Sequence, residues 1–311
     1  MTEPAAIEVT GLHKSYGDVD AVRGIDLWVA LGQVFALLGP NGAGKTTTVE
    51  ILEGHRDRDA GEVRVLGHDP ALGERPLKER IGIVLQETGI EQYLTVEEVI
   101  DLQRGYYPSP RPLDEVIELV GLEEKRHSRV GKLSGGQQRR LDVALGLAGD
   151  PDLVFLDEPT TGFDPSARRS AWQMVKNLQT LGKTVVLTTH YMDEAQYLAD
   201  RVAVIAAGRI VAEGTPSSLV AAAGAGRARV TCRLPGGRAV PRAIAAAGSV
   251  TDGRLTAETE TPTRLLHDLT SWALDEGLEL EDLAVTRPSL EDAYLELVGD
   301  DAEAAAAEAA R

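Results

Sequence analysis

Apolar positions change their spacing several times along the chain. Ile25, Leu27 and Val29 alternate with polar or small residues, the period-two pattern of a strand with one wet face. "QVFALLG" and "LVFLD" are unbroken apolar runs, as expected of strands buried on both faces. "GEVRVLG", "IGIVLQ" and "GKTVVLTTH" add strands, and "RVAVIAAGRIVAEG" reads as a hairpin turning near Ala207 and Gly208. Helical stretches such as "KTTTVEILEG" and "PSARRSAWQMVKNLQTLG" fill the gaps. Strands alternating with helices predict an α/β domain with a mainly parallel sheet and helices on both faces, at residues 5–220. Residues 87–150 depart from that rhythm. They hold helical patterns, "TVEEVIDLQRGY" and "PLDEVIELVGL", and few strand signals, so they read as an inserted helical subdomain.

The small, featureless stretch at residues 221–227 reads as a linker. "ARVTCRL" then alternates cleanly, and "TRLLHDLTSWALDEG" puts Leu265, Leu266, Leu269, Trp272 and Ala273 on one helical face. "SLEDAYLELV" does the same with Leu290, Ala293, Tyr294 and Leu297. These predict a small α+β domain at residues 228–299, followed by a disordered acidic tail at 300–311.

Charge narrows the partners. The 311 residues carry a net charge of −17, with 32 Lys and Arg against 49 Asp and Glu. Nucleic-acid binding draws most of its affinity from cations, so a nucleic-acid partner is not expected. Cys232 is the one cysteine, which excludes a disulfide framework and fits a reducing cytosol. "MTEPAAIEVTG" lacks a basic stretch followed by an apolar one, and no window approaches the ~20 apolar residues of a membrane span. The expectation is a cytoplasmic protein that cannot cross a membrane alone.

Residues 39–46, "GPNGAGKT", fit G-x-x-x-x-G-K-[ST] through Gly39, Gly44, Lys45 and Thr46. Glycines let the backbone curl so that its N–H groups face a phosphate chain, and the following helix adds its positive end. Lys45 would reach the outer phosphates and the Thr46 hydroxyl would ligate Mg²⁺. The loop follows an apolar strand and precedes a helix, the context this chemistry needs. "LVFLDEP" delivers Asp157 to a strand end, where ligands of open α/β sheets bind. Asp157 would hold Mg²⁺. The adjacent Glu158 points elsewhere by strand alternation and is free to polarise an attacking water.

A second glycine-rich stretch, "LSGGQ", contains Ser134, Gly135, Gly136 and Gln137. Ser134 with Gln137 three residues on makes a capping box, and Asp164 before Pro165 makes an ordinary helix start. Together with the order and spacing of residues 39–46, Gln86, 153–158, Asp164 and His190, "LSGGQ" resembles the ATP-binding subunits of ABC transporters over residues 5–220. Kinases and GTPases with the same phosphate loop do not carry it between the two nucleotide motifs.

The resemblance implies a P-loop NTPase core with a small antiparallel β subdomain. It implies ATP and Mg²⁺ as ligands and ATP hydrolysis as the activity. Gly39, Pro40, Asn41, Gly42, Ala43, Gly44, Lys45, Thr46 and Thr47 would cradle the phosphates, and Tyr16 would stack on adenine. Gln86 would touch Mg²⁺ and the water, His190 the γ-phosphate, and Asp164 the facing subunit. Ser134, Gly135, Gly136 and Gln137 would address ATP held by a second copy, so a head-to-tail homodimer is implied. A separate permease would dock on the helical subdomain near residues 86–107, placing the protein on the inner face of the membrane. "RPSLEDAYLELVG" resembles the tail of bacterial daunorubicin and doxorubicin exporter ATPases, which implies drug efflux. Two other readings compete: a soluble ABC-type ATPase acting on ribosomes or DNA, and an ATP-binding regulatory subunit without turnover. The acidic charge and single phosphate loop oppose the first; the intact base and signature oppose the second.

Overall fold

Helix α1 (Lys45–Leu52) lies between two sheets, which explains why Thr48, Val49, Ile51 and Leu52 are all buried. The computed structural model describes residues 4–84, 89–222, 227–234, 240–241, 244, 247–287 and 289–296. Beneath α1 runs a six-stranded sheet in the order β5-β6-β7-β3-β8-β9. Its strands are β3 (Val34–Leu38), β5 (Ile81–Val84), β6 (Leu153–Asp157), β7 (Thr184–Thr189), β8 (Arg201–Ala206) and β9 (Arg209–Gly214). All neighbours are parallel except the β8–β9 hairpin, whose turn residues Ala207 and Gly208 have φ of 46° and 78°. Positive φ at both turn residues matches the twist of a two-residue hairpin.

On its other side α1 meets an antiparallel sheet, β2-β1-β4, built from β1 (Ala5–Tyr16), β2 (Val19–Ala30) and β4 (Ala60–Val65). The inner faces of both sheets and α1 share one core that includes Ile7, Leu12, Ile25, Phe35, Val49, Leu52 and Phe155. Phe35 and Phe155 are 0% exposed, and burying each contributes about 1.5–3 kcal/mol. β1 escapes a pattern reading because its pairing with β2 slips between Val9 and Leu12, which breaks the alternation after two periods.

Helix α2 (Arg75–Lys78) precedes β5, and helices α3 (Val96–Arg104), α4 (Leu113–Leu119) and α5 (Gly135–Leu147) follow it and lead back to β6. α6 (Pro165–Thr180) and α7 (Met192–Leu198) connect β6 to β7 and β7 to β8. Among the described residues no helix is long and apolar enough to cross a membrane.

The chain divides after Pro216 into two compact units. The second, from Ser217, carries a four-stranded antiparallel sheet in the order β11-β12-β10-β13. Its strands are β10 (Ala228–Arg233), β11 (Gly248–Thr251), β12 (Arg254–Thr259) and β13 (Glu281–Thr286). Helix α9 (Pro262–Asp275) follows α8 (Pro216–Ala222) in the helix count and buries Leu265 and Leu269 against Val230, Cys232, Leu255 and Ala257. Leu290 and Ala293, in the helical run at 290–296, are 0% exposed. Leu297 lies outside the described residues, as do 223–226 of the expected linker and the expected tail at 300–311.

One group in the first core carries a measurable consequence. Glu53, just past α1, is 6% exposed, and burial, Asp157 and Glu50 together push its carboxyl up to about 8. The folded state therefore holds a proton that the unfolded state releases near the ordinary value of 4.5. Stability contributed by the neutral group is full below that ordinary value and is lost as pH rises to about 8. Replacing Glu53 by Gln removes this loss, which is on the order of a few kcal/mol. Thermal melts should show the variant gaining over wild type as pH rises from about 5 to 8. Parallel melting curves across that window would refute the assignment.

Candidate functional site

Backbone geometry dictates the glycines of the loop between β3 and α1. A Cβ on Gly39 would come within 2.3 Å of the Ile205 carbonyl oxygen, and one on Gly44 within 2.4 Å of that of Ala21. Gly44 also has φ of 104°, which side-chain-bearing residues rarely adopt. The two glycines let the loop pack directly against the backbone of Ile205 and of Ala21.

Lys45 enters that loop rather than solvent. Its side chain is 4% exposed, and Nζ donates to the carbonyls of Gly39 (2.8 Å) and Pro40 (3.1 Å). Nζ also lies 3.6 Å from Glu158 Oε1. Burial lowers the ammonium's pKa, and the facing charges of Glu158 and Asp157 oppose that only in part. A cleft of about 440 Å³ opens above the loop, lined by Tyr16, Ala21, Asn41, Gly42, Gly44, Lys45, Thr46, Thr47 and Glu158. Gly39, Pro40 and Ala43 complete the turn beneath it, with Ala43 N–H donating to the Pro40 carbonyl at 3.3 Å. Tyr16, at the end of β1, is 41% exposed and carries Arg56 and Lys14 at 5.2 and 5.6 Å from its ring centroid.

The carboxylates arrive on β6. Asp157 is the last residue of the strand, opposite Thr188 of β7, whose hydroxyl donates to Asp157 Oδ1. The same hydroxyl accepts the Glu158 N–H at 3.0 Å. Glu158 has φ of 43°, so it leaves the strand through a left-handed turn. Its direction toward the cleft comes from this turn and not from strand alternation, which corrects the reason given for it above. Glu158 Oε2 accepts from the Thr161 hydroxyl at 3.0 Å, and Oε1 lies 3.2 Å from His190 Nδ1. Burial would raise the Glu158 pKa, but the bonds from Thr161 and His190 and the charge of Lys45 hold it below the ordinary value. The result is an ionised carboxylate facing a phosphate-sized loop, beside an imidazole. Such a set can accept a proton from water next to a bound phosphate.

Ser134, Gly135, Gly136 and Gln137 open α5. The capping box is complete: Ser134 Oγ accepts from Gln137 N–H at 3.4 Å, and Gln137 Oε1 from Ser134 N–H at 3.0 Å. Asp164 caps α6, accepting from Ser166 and Ala167 N–H at 2.8 and 2.9 Å. Ser134, Gly135, Gly136 and Asp164 line a separate groove of about 570 Å³ that shares no lining residue with the cleft above Lys45. The structure thus gathers Tyr16, the phosphate loop and Glu158 in one cleft, with Asp157 and His190 at its carboxylate end. Ser134 and Gly136 line the groove and not that cleft, while Gly135 also lines a third cavity, of about 490 Å³, with Glu158. Gln86 lies outside the described residues.

Two residues that the motifs did not announce tie these parts together. Arg139, on α5 and 7% exposed, donates to the carbonyls of Asp157 (3.0 Å) and Pro159 (3.4 Å), so the "LSGGQ" helix is fastened to the loop bearing Glu158. Glu194, 0% exposed, accepts at Oε1 from the Thr160 hydroxyl (2.9 Å) and the Trp172 indole (3.1 Å). Charged residues on otherwise buried helical faces are the only sequence signal for either.

Comparison with known proteins agrees with the geometry. Residues 22–161 match the ABC transporter family, and residues 228–289 match the C-terminal domain of ABC transporter domain-containing protein-like sequences. The daunorubicin resistance ATP-binding protein DrrA3 of Streptomyces coeruleorubidus is 40% identical over 305 residues, covering 95% of this chain and 96% of that protein. The Nod factor export ATP-binding protein I of Rhizobium sp. (strain N33) is 44% identical over 220 residues, or 69% of this chain and 72% of that protein. Among solved structures, the dimeric post-hydrolysis ATP-binding cassette MJ0796, bound to ADP and Pi, is 26% identical with a TM-score of 0.60. It spans 67% of this chain and 98% of that one. The chain belongs to the ATP-binding subunits of ABC transporters, a family of P-loop ATPases that couple ATP hydrolysis to transport.

Proposed function

We propose that two copies of this chain close head to tail on two ATP molecules and drive a separate permease that exports a hydrophobic or amphipathic compound. One observation supports the dimer: the cleft above Lys45 and the groove at residues 134–136 have no lining residue in common, although Gly135 and Glu158 meet in a third cavity. Cleft and groove each have the chemistry for a phosphate, and each is open, with too few walls to surround one. Opposed to a second copy, the cleft of one subunit meets the groove of the other.

Within such a site Tyr16 stacks on adenine while the amides of residues 39–47 and Lys45 hold the phosphates. Lys45 already lies among loop carbonyls and beside Glu158, so phosphate binding exchanges those partners for stronger ones. Glu158 takes the proton of the attacking water and His190 orients the γ-phosphate. Ser134 and Gly136 address that phosphate from the facing subunit, with Asp164 in the seam. Thr46, Asp157 and Gln86 offer only oxygen donors, which suits Mg²⁺. The metal, when bound, would neutralise charge on the phosphates.

Tyr93, Leu102 and Tyr106 are 78%, 59% and 71% exposed. Uncovered apolar side chains around α3 support permease docking near residues 86–107, and with it a position on the inner face of the membrane. Export, and a drug-like cargo, rest on the names and coverage of the relatives and on the matched C-terminal domain at residues 228–289.

Co-expression with a candidate membrane-spanning permease tests the reading. The chain should then sediment with membranes, and its ATP hydrolysis should respond to hydrophobic compounds. A chain that stays in the supernatant with the permease present, and hydrolyses ATP at an unchanged rate, would refute permease coupling.

A further inference from the structure

The loop after β7 holds an aromatic contact that the chemistry above does not use. The rings of His190 and Tyr191 have centroids 4.1 Å apart, with planes 39° from parallel. The guanidinium of Arg168 sits on Tyr191 in turn, with Cζ 4.5 Å from the ring centroid. Arg168 Nη1 reaches Asp193 Oδ2 at only 3.4 Å, and its buried Nε has no hydrogen-bond partner among the described residues. The guanidinium is thus shared between the Tyr191 ring face and the Asp193 carboxylate, and it keeps its place on the ring although Nε goes without a hydrogen bond.

Tyr191 is also an unusual choice on local grounds. It is the N-cap residue of α7 and makes no side-chain cap bond. Ser, Thr, Asp or Asn there would stabilise the helix by about 1 kcal/mol. The position gives up that gain for a ring against His190. The backbone beneath is fixed, since Tyr191 N–H donates to Thr189 Oγ1 at 2.9 Å. Arg168 comes from the first turn of α6, and its N–H donates to the Asp164 carbonyl at 3.0 Å.

We propose that Tyr191, clamped by Arg168, is a positioning residue that holds the His190 ring in its working orientation. The His190 side chain is 30% exposed and, among the described residues, has one polar contact, to Glu158 at 3.2 Å. An imidazole so lightly held needs a neighbour to keep it aimed. Because the clamp begins one turn from Asp164, it also links the residue that caps the dimer seam to the residue facing the γ-phosphate. The proposal rests on the reading of His190 as a hydrolysis residue.

A double-mutant cycle on the full chain separates the two. Steady-state kcat and KM for ATP are measured for Tyr191→Ala, His190→Ala and the double variant. The clamp predicts that Tyr191→Ala lowers kcat about tenfold, the scale of a misplaced reacting group, with KM changed less than about twofold. In the His190→Ala background the same change should lower kcat less than about twofold further. Tyr191→Phe keeps the ring and should keep kcat near wild type, and Arg168→Met should shift kcat in the direction of Tyr191→Ala. Where Tyr191→Ala is unstable, Tyr191→Leu keeps apolar bulk without the ring. Equal losses in both backgrounds, or a Tyr191→Phe variant as slow as Tyr191→Ala, would overturn the clamp alone. A His190→Ala variant with unchanged kcat would overturn the reading of His190 and the clamp with it.

Discussion

Replacing Glu158 by glutamine slows ATP hydrolysis by about 10²–10⁴-fold while ATP remains bound. The amide would keep the shape of the side chain and one oxygen acceptor but could not take a proton from water. The structure shows why the carboxylate suits that task. It is kept ionised by Thr161, His190 and Lys45 against a burial effect of opposite sign, and it lines the same cleft as the phosphate loop. The residues that line the cleft with it are unchanged in the variant, so nucleotide affinity should hold. Phosphate release measured beside equilibrium ATP binding checks both halves. Unchanged turnover would remove Glu158 from the reaction.

Replacing Gly136 by aspartate abolishes hydrolysis and leaves ATP binding to a single chain intact. The two glycine pairs differ in what demands them. Gly39 and Gly44 are required by their own fold, because any Cβ would strike backbone oxygen at 2.3–2.4 Å. A Cβ on Gly135 would meet nothing within 4 Å, and one on Gly136 would meet only Ala167 Cβ at an ordinary 3.8 Å. The chain itself therefore does not need glycine at the start of α5. A phosphate approaching from outside does need it, since a side chain would hold the helix amides away. A carboxylate in the first turn of α5 is favourable for the helix dipole, by about 0.3–1 kcal/mol, so stability should not fall. Its charge would repel the γ-phosphate of the facing subunit. Melting temperature and single-chain ATP affinity should match wild type while phosphate release drops to background. A fully active variant would show that the "LSGGQ" helix start is a capping box and nothing more.

The cradle was legible because everything it needs lies within nine consecutive residues and the two elements that flank them. The helix starts at Ser134 and Asp164 were legible for the same reason, and both caps form as their residue types require. What stayed hidden depends on distant partners. Glu158 faces the cleft through a left-handed turn at φ 43°, which no local pattern announces. Arg139 is on an ordinary helix until α5 docks on the end of β6, and Thr188 aligns Asp157 only through the β6–β7 register. β1 went unread because a slip in its pairing breaks the alternation. Glu53 resembled any helix-end carboxylate, and its two sheets and the nearby Asp157 give it its shifted titration. The two glycine-rich stretches themselves were visible as motifs. Their separation within one chain, from which the dimer is argued, needed coordinates.

Mixing two inactive variants tests the shared site most directly. Lys45→Ala spoils the cradle, and Gly136→Asp spoils the helix start that serves the facing copy. Each homodimer then has no working site, whereas each mixed dimer has one, formed by the intact cradle of one chain and the intact "LSGGQ" of the other. In an equal mixture half the dimers are mixed and each carries one site of two. Hydrolysis should therefore rise well above the sum of the separate variants, toward about a quarter of wild type. Activity that stays at that sum at every mixing ratio would contradict the composite site.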